Sequence, residues 1–265
     1  SFVGKELGSL LERKKQINAM KYYKFNEEDP FNRKIQFKVL QTCHNPANCM
    51  YISPNVSERQ DKQFVPSLFL SNVMSLALKI DEVCHVIQNA NFDLVCITET
   101  WLQNHILDTV VVLEGCNPIR RGRKETIHGG VCMYVKDSIP ISVLEVLEDK
   151  NNSLEVLWVK LCPTRLPRGV SSIITGVVYH PPKADNCVML EYLTSCLIDL
   201  ESRYHNCGII VLGGLNQPND ASLKSNFNLK QIINFATQGP YTLDKILINL
   251  KDYYELPIQR PAFGL

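Results

Sequence analysis

No stretch of this chain approaches the about 20 consecutive apolar residues that a transmembrane helix needs, although 45% of its 265 residues are hydrophobic. The opening SFVGKELGSLLERKK lacks the apolar centre of a secretory signal. An excess of one charge is also missing. Lys and Arg number 28 against 27 Asp and Glu, a net charge of +1, so bulk electrostatics announces neither a nucleic-acid nor a membrane partner, and any polyanion binding has to be local. The ten cysteines show no regular disulfide-like spacing, and Cys84, Cys96, Cys132 and Cys196 sit inside apolar runs as small core residues do. These absences lead us to expect a protein of a reducing intracellular compartment, nuclear or cytoplasmic, with no membrane contact. Internal repeats and low-complexity tracts are absent as well.

What is present changes character near residue 66. Residues 1–65 mix charges, Asn, Pro and short apolar pieces without sustained periodicity, and read as a weakly structured leader with room for one short helix in LGSLLERKKQINAMKYY. Residues 66–265 read as one principal domain, in which apolar runs alternate with helical patterns. Leu76, Ile80, Val83 and Ile87 recur at helical spacing, as do Met189, Tyr192, Leu193, Cys196, Leu197 and Leu200. GGVCMYV (129–135) and LEVLWVKL (154–161), with the turn residues Asp149-Lys150-Asn151-Asn152 before the second, suggest a hairpin-like pair. Many strands and few helices imply an α/β (α+β) fold of two packed sheets flanked by helices rather than a strictly alternating doubly wound sheet.

Four apolar runs end on or just before a polar residue suited to metal or phosphate. SLFLSN ends at Asn72, DLVCITE at Glu99, SIITGVVY at Tyr179 and GIIVLGGLN at Asn216. A buried strand hides such a residue only at a cost unless it has a partner, and ligands of open α/β sheets gather outside the carboxyl ends of strands. A hard cation such as Mg²⁺ takes oxygen ligands, often one or two carboxylates, and leaves other positions to water and phosphate. Glu99 with Asn72 meets that description. Tyr179, before the stiff His180-Pro181-Pro182, has a hydroxyl to offer a phosphate oxygen, and Asn216 an amide to orient a nucleophile. Each also has a local reading. Asn72 is a common turn former, Glu99 an ordinary loop carboxylate, and Tyr179 a strand-end aromatic with its hydroxyl in water.

SNVMSLALKIDEV, DLVCITETWL, GGVCMYV, GVVYHPP, the GGLN run and YTLDKILINL occur in this order. Together they resemble the endonuclease/exonuclease/phosphatase superfamily, most closely the apurinic-type endonuclease domain of non-long-terminal-repeat retrotransposons. The resemblance implies a four-layer sandwich of two mixed β-sheets flanked by helices, a DNA-nicking phosphodiester hydrolase, and Mg²⁺ as cofactor with Mn²⁺ as the alternative ion. DNA is the implied partner, with no small-molecule cofactor. By position it makes Asn72 and Glu99 metal-site residues and Tyr179 the phosphate-contacting tyrosine. Asn216 becomes the asparagine of a Gly-Asp-Phe-Asn pattern, and Asp244 the aspartate that supports a catalytic histidine, against a local role in capping or pairing.

Two departures stand beside these matches. Gly214 in Gly213-Gly214-Leu215-Asn216 replaces the aspartate of the pattern, and glycine cannot take a proton. The family's closing Ser-Asp-His segment has no counterpart before Phe263-Gly264-Leu265, and none of His44, His85, His105, His128, His180 and His205 lies in a segment that plainly replaces it. Loss of a general base costs about 10²–10⁴ in rate, and loss of a charge-stabilising group about 10²–10³ more, without simple multiplication. The expectation is therefore a degenerate copy of an endonuclease, with its last strand missing and a sheet edge open to self-association. The alternative is a non-catalytic domain of the same fold that binds DNA or protein, or a decayed retroelement product. Arg120, Arg121, Arg123 and Lys124 concentrate positive charge in what reads as a loop, where they can contact DNA phosphates or lie solvated. Cys43-His44 with Cys49 matches no common zinc spacing.

Overall fold

Side chains leave a strand on alternate faces, so a strand covered on both sides must be apolar almost throughout. Leu68–Asn72 (β2), Leu94–Thr98 (β3), Val131–Lys136 (β5), Glu155–Leu161 (β7), Ile173–Tyr179 (β8) and Gly208–Gly214 (β9) meet that requirement and are buried along nearly their whole lengths. The computed structural model describes residues 49–55, 64–122, 128–147, 154–216 and 219–263. Six further strands complete two sheets: Cys49–Ile52 (β1), Cys116–Arg121 (β4), Ile141–Val143 (β6), Lys230–Gln231 (β10), Asp244–Ile248 (β11) and Ile258–Arg260 (β12). Each sheet has six strands, ordered β12-β1-β2-β3-β5-β4 and β10-β11-β9-β8-β7-β6. Both are mixed. The pairs β2 with β3 and β8 with β9 are parallel, and the remaining pairs are antiparallel.

Three apolar clusters define the layers. Between the sheets, Leu68, Leu70, Leu94, Met133 and Val135 meet Leu157, Val159, Val177, Leu212 and Ile246. On the outer face of the first sheet, Leu76–Ala90 (α1) lays Leu76, Ile80, Val83 and Ile87 over Phe69, Val95, Ile97 and Tyr134. On the outer face of the second, Asn186–Arg203 (α2) and Ala221–Asn226 (α3) cover Val156, Trp158, Val178, Ile209 and Val211. The result is the four-layer sandwich expected from the sequence. No helix among the described residues is long and apolar enough to cross a membrane.

One expectation meets a different arrangement. GGVCMYV and LEVLWVKL do not form a hairpin, because β5 pairs with β3 and β4 in one sheet while β7 pairs with β6 and β8 in the other. The short β6 takes the place beside β7, and β5 and β7 face each other through the core instead. Strand β1 lies on the leader side of residue 66 yet pairs with β2, so the first sheet draws on chain from before that boundary; residues 1–48 lie outside the described part. The edge of β2 is covered by β1, and the outermost strand there is the short, exposed β12.

Trp158 on β7 stands opposite Gly176 on β8. A Cβ at residue 176 would come within 2.6–2.8 Å of the indole ring. Gly176→Ala should therefore cost about 1–3 kcal/mol by overpacking, read from denaturant midpoints. In Trp158→Leu the same change should cost clearly less, and strict additivity would contradict the contact.

Candidate active site

Strand register sets the polar residues side by side. In the first sheet Asn72 pairs with Thr98, Thr98 with Val131 and Val131 with Arg121. In the second, Glu155 pairs with Tyr179, Tyr179 with Gly214 and Gly214 with Asp244. The two rows meet at one end of the sandwich, where the amide of Gly130, just before β5, donates to Oε2 of Glu155 at the start of β7. Glu99 lies one residue past β3, and Asn216 two residues past β9.

The backbone around these positions is bent against its preference. Met74, Ser75, Glu99, Trp101 and Asn216 all have left-handed φ, between 46° and 86°, a conformation that is costly for residues with a Cβ and clusters at functional sites. Hydrogen bonds hold the bends in place. Val73, Ser75 and Leu76 donate backbone N–H groups to the carbonyls of Thr98, Glu99 and Thr100, at 3.1, 2.9 and 2.9 Å. The peptide groups of Thr100 and Trp101 donate to Gly130 and Gly129 at 3.2 and 2.8 Å. The Glu99 carboxylate is aimed by two donors on Oε2, the Trp101 indole at 2.6 Å and the Gly129 amide at 3.0 Å. Gly129 has φ +91°, and a Cβ there would meet the Glu155 carboxylate at 2.5 Å. Only glycine fits such a turn without displacement.

A hard cation needs oxygen donors that are not already spent on the protein. The amide oxygen of Asn72 is buried without a hydrogen-bond partner among the described residues, and so are the hydroxyls of Thr98 and Thr100. Orphaned oxygens of this kind call for a partner, and Glu99 follows Thr98 directly in the chain at the end of β3. This donor set fits a hard divalent cation held by Asn72 and Glu99. No cluster of three or more His, Cys, Asp and Glu residues that could hold a metal ion occurs among the described residues.

In the second sheet Tyr179 is buried at the end of β8, next to His180, which is 1% exposed. The His180 Nε2 lies 2.8 Å from Oδ1 of Asn186, while its Nδ1 is buried without a partner among the described residues. The backbone amide of His180 donates to the Gly214 carbonyl at 2.8 Å, and its carbonyl accepts from the Asn216 side-chain amide. Asn216 is thereby fixed through its nitrogen, which leaves its amide oxygen for other contacts. Gly214 presents no side chain between Tyr179 and Asp244; a Cβ there would lie 3.3 Å from the Tyr179 ring and 3.7 Å from Asp244 Oδ1. Asp244 is buried, and desolvation pushes its carboxyl up to about 6 despite a hydrogen bond with Thr237. Nearby, Asp220 is also taken from water, but Lys245 at 2.9 Å and Lys224 at 3.0 Å more than offset that and hold its carboxyl below the usual range.

The basic cluster is placed differently from its sequence reading. Arg120 and Arg121 end strand β4 rather than sit in a loop, and Arg120 is engaged by Asp108 at 2.6 Å and by the Ile106 carbonyl at 2.7 Å. Arg123 and Lys124 lie outside the described residues, as do Cys43 and His44. Sequence reasoning missed Glu155 and Thr237. Glu155 left one signal, a lone carboxylate opening an otherwise apolar run, whereas Thr237 left none.

Residues 68–252 match the Endonuclease/Exonuclease/phosphatase family. Among solved structures the chain is similar to the endonuclease domain of TRAS1, a telomere-specific non-LTR retrotransposon. The two share 12% identity over 69% of this chain and 85% of that one, with a TM-score of 0.51. It is also similar to the AP endonuclease LMAP from Leishmania major, with 14% identity, 81% and 93% coverage, and a TM-score of 0.56. At these identities the likeness is one of fold. Comparison with curated proteins gives no match.

The raised carboxyl of Asp244 has a sign that can be tested. A folded-state value of about 6 against 3.8 means that its favourable contribution is complete below pH 3.8 and is lost as the pH rises through about 6. The stability of the protein relative to Asp244→Asn should fall by about 1–3 kcal/mol between pH 3.5 and pH 7, measured by urea unfolding at each pH. A difference that does not vary with pH would contradict the burial of a titrating carboxyl.

Proposed function

Because the chain belongs to the endonuclease/exonuclease/phosphatase family, we propose that it is a phosphodiester hydrolase of the retroelement DNA-endonuclease kind that keeps its cation site and has lost most of its turnover. The observation that carries this reading is the absence of a side chain at Gly214, in register between Tyr179 and Asp244, while the buried amide oxygen of Asn72 has no hydrogen-bond partner among the described residues. The likeness to a retrotransposon endonuclease domain supports the retroelement origin.

The family is divalent-metal dependent, and Mg²⁺, or Mn²⁺ in its place, is the ion we assign to Asn72 and Glu99. Such an ion, when bound, neutralises charge developing on the phosphoryl oxygens. The remaining work falls to the chain's own groups. The Tyr179 hydroxyl donates to a non-bridging phosphate oxygen. Asn216, anchored on the His180 carbonyl, offers its amide oxygen to orient the attacking water. Asp244 belongs to the same row, with its carboxyl pushed up to about 6 by burial. No side chain at residue 214 takes the proton of that water, which by itself costs about 10²–10⁴ in rate. The DNA backbone meets the positive charge of Arg121, Arg123 and Lys124, with Arg120 held on Asp108 as a local brace.

Metal binding and turnover are separable. Millimolar Mg²⁺ should raise the melting temperature of the protein, with a gain of about 1.4 kcal/mol at ten times the dissociation constant, and Glu99→Gln should abolish the shift. Absence of any shift in the unsubstituted protein would sink the cation site. Plasmid nicking should be slower by about 10²–10⁴ than in a relative that carries the aspartate, and nicking at the relative's rate would refute the lost base. In Gly214→Asp the new carboxylate would neighbour Asp244. The variant should melt below the parent without metal, by about 1–2 kcal/mol, and recover part of that difference with Mg²⁺.

A further inference from the structure

Glu155 has no part in the chemistry proposed above, yet it is 3% exposed and sits in the row of the site beside Tyr179. Burying a carboxylate is costly unless donors compensate, and here a donor comes from the opposite sheet. The Gly130 amide gives its hydrogen bond to Glu155 Oε2, and the preceding Gly129 amide gives its own to Glu99 Oε2. Two consecutive N–H groups therefore hold two carboxylates, one at each sheet end. The carbonyls of the same two glycines are also occupied, by the peptide N–H groups of Trp101 and Thr100. Trp101 closes the circuit, because its indole N–H returns to Glu99 at 2.6 Å.

We infer that Glu155 is a positioning residue, which fixes the Gly129–Gly130 turn and through it the orientation of the Glu99 carboxylate across the boundary between the two sheets. Successive N–H groups directed to one side of a turn form a concave anion-binding device, and in this fold the anions are the protein's own. The turn requires glycine at residue 129, where φ is +91° and a Cβ would run into Glu155. Without the acceptor at residue 155 the Gly130 amide is left unpaired, the turn loses its fixed end, and the Gly129 donor leaves Glu99. The value of the device for function rests on Glu99 being a metal ligand, but its existence does not.

The test needs no metal. The protein has two tryptophans, and their indole N–H resonances in a ¹⁵N–¹H spectrum report separately on this circuit (Trp101) and on the outer core (Trp158). Glu155→Met fills similar space without an acceptor, and Glu155→Gln restores one through its amide oxygen. In the Met variant the Trp101 resonance should move toward that of a water-exposed indole, and the Gly129 amide should exchange about tenfold faster or more, while Trp158 stays in place. In the Gln variant both should remain near the parent. A Trp101 resonance unmoved in the Met variant, or moved equally in both, overturns the inference. If Glu155→Met disperses the Trp158 signal by unfolding, the unsubstituted protein decides. Common opening of the Gly129 and Gly130 amides supports the coupling, and independent opening rates refute it. Mg²⁺-induced shifts of Trp101 in the unsubstituted protein, lost in Glu99→Gln, test the cation site separately.

Discussion

Both faces of both sheets are covered, and that constraint decides where polar chemistry can reside. With α1 outside one sheet, α2 and α3 outside the other, and a shared apolar layer between them, a strand interior has almost no place for an unpaired polar group. Strand ends are the exception, because the chain there leaves the ladder and can meet water, a ligand or another loop. Parallel pairing of β2 with β3 and of β8 with β9 then brings the ends of strands within each sheet to the same side. The polar mouth is thus a consequence of core burial rather than an addition to it.

Three carboxylates lie at strand ends in these two rows, and the fold treats each differently. Glu99 is satisfied by an indole and a peptide N–H, Glu155 by a peptide N–H from across the mouth. Asp244 has a hydrogen bond with Thr237, but its burial outweighs that and its carboxyl holds its proton to higher pH. A side chain at residue 214 would stand beside it, so an acid there would enter an already unfavourable place.

Much of this was legible in the sequence. The β-rich runs ending at Asn72, Glu99, Tyr179 and Asn216 correspond to β2, β3, β8 and β9, and the spacing of Leu76, Ile80, Val83 and Ile87 to the buried face of α1. Periodicity records burial, and burial was what these elements share. The pairing of β5 and β7 was not legible, because a short intervening strand, β6, carries too little pattern to announce that the chain has changed sheets. Arg120 and Arg121 looked like loop residues because strand β4 is only partly buried and its composition is polar. Glu155 was hidden for the opposite reason. One acid in an apolar run looks like a solvated strand end, and only the glycine amide donated from the other sheet reveals why it is buried.

The Gly129–Gly130 turn joins the two sheets at this end. Nothing in a glycine pair specifies more than backbone freedom, yet its two amides and two carbonyls connect Glu99, Thr100, Trp101 and Glu155. The proposed function places a cation at Asn72 and Glu99 and finds no proton acceptor at residue 214. The most direct measurement is an anomalous difference map from crystals grown with Mn²⁺. A single peak bonded to the Asn72 amide oxygen and the Glu99 carboxylate is the predicted result, and no peak at these residues, with the ion bound elsewhere or not at all, would contradict it.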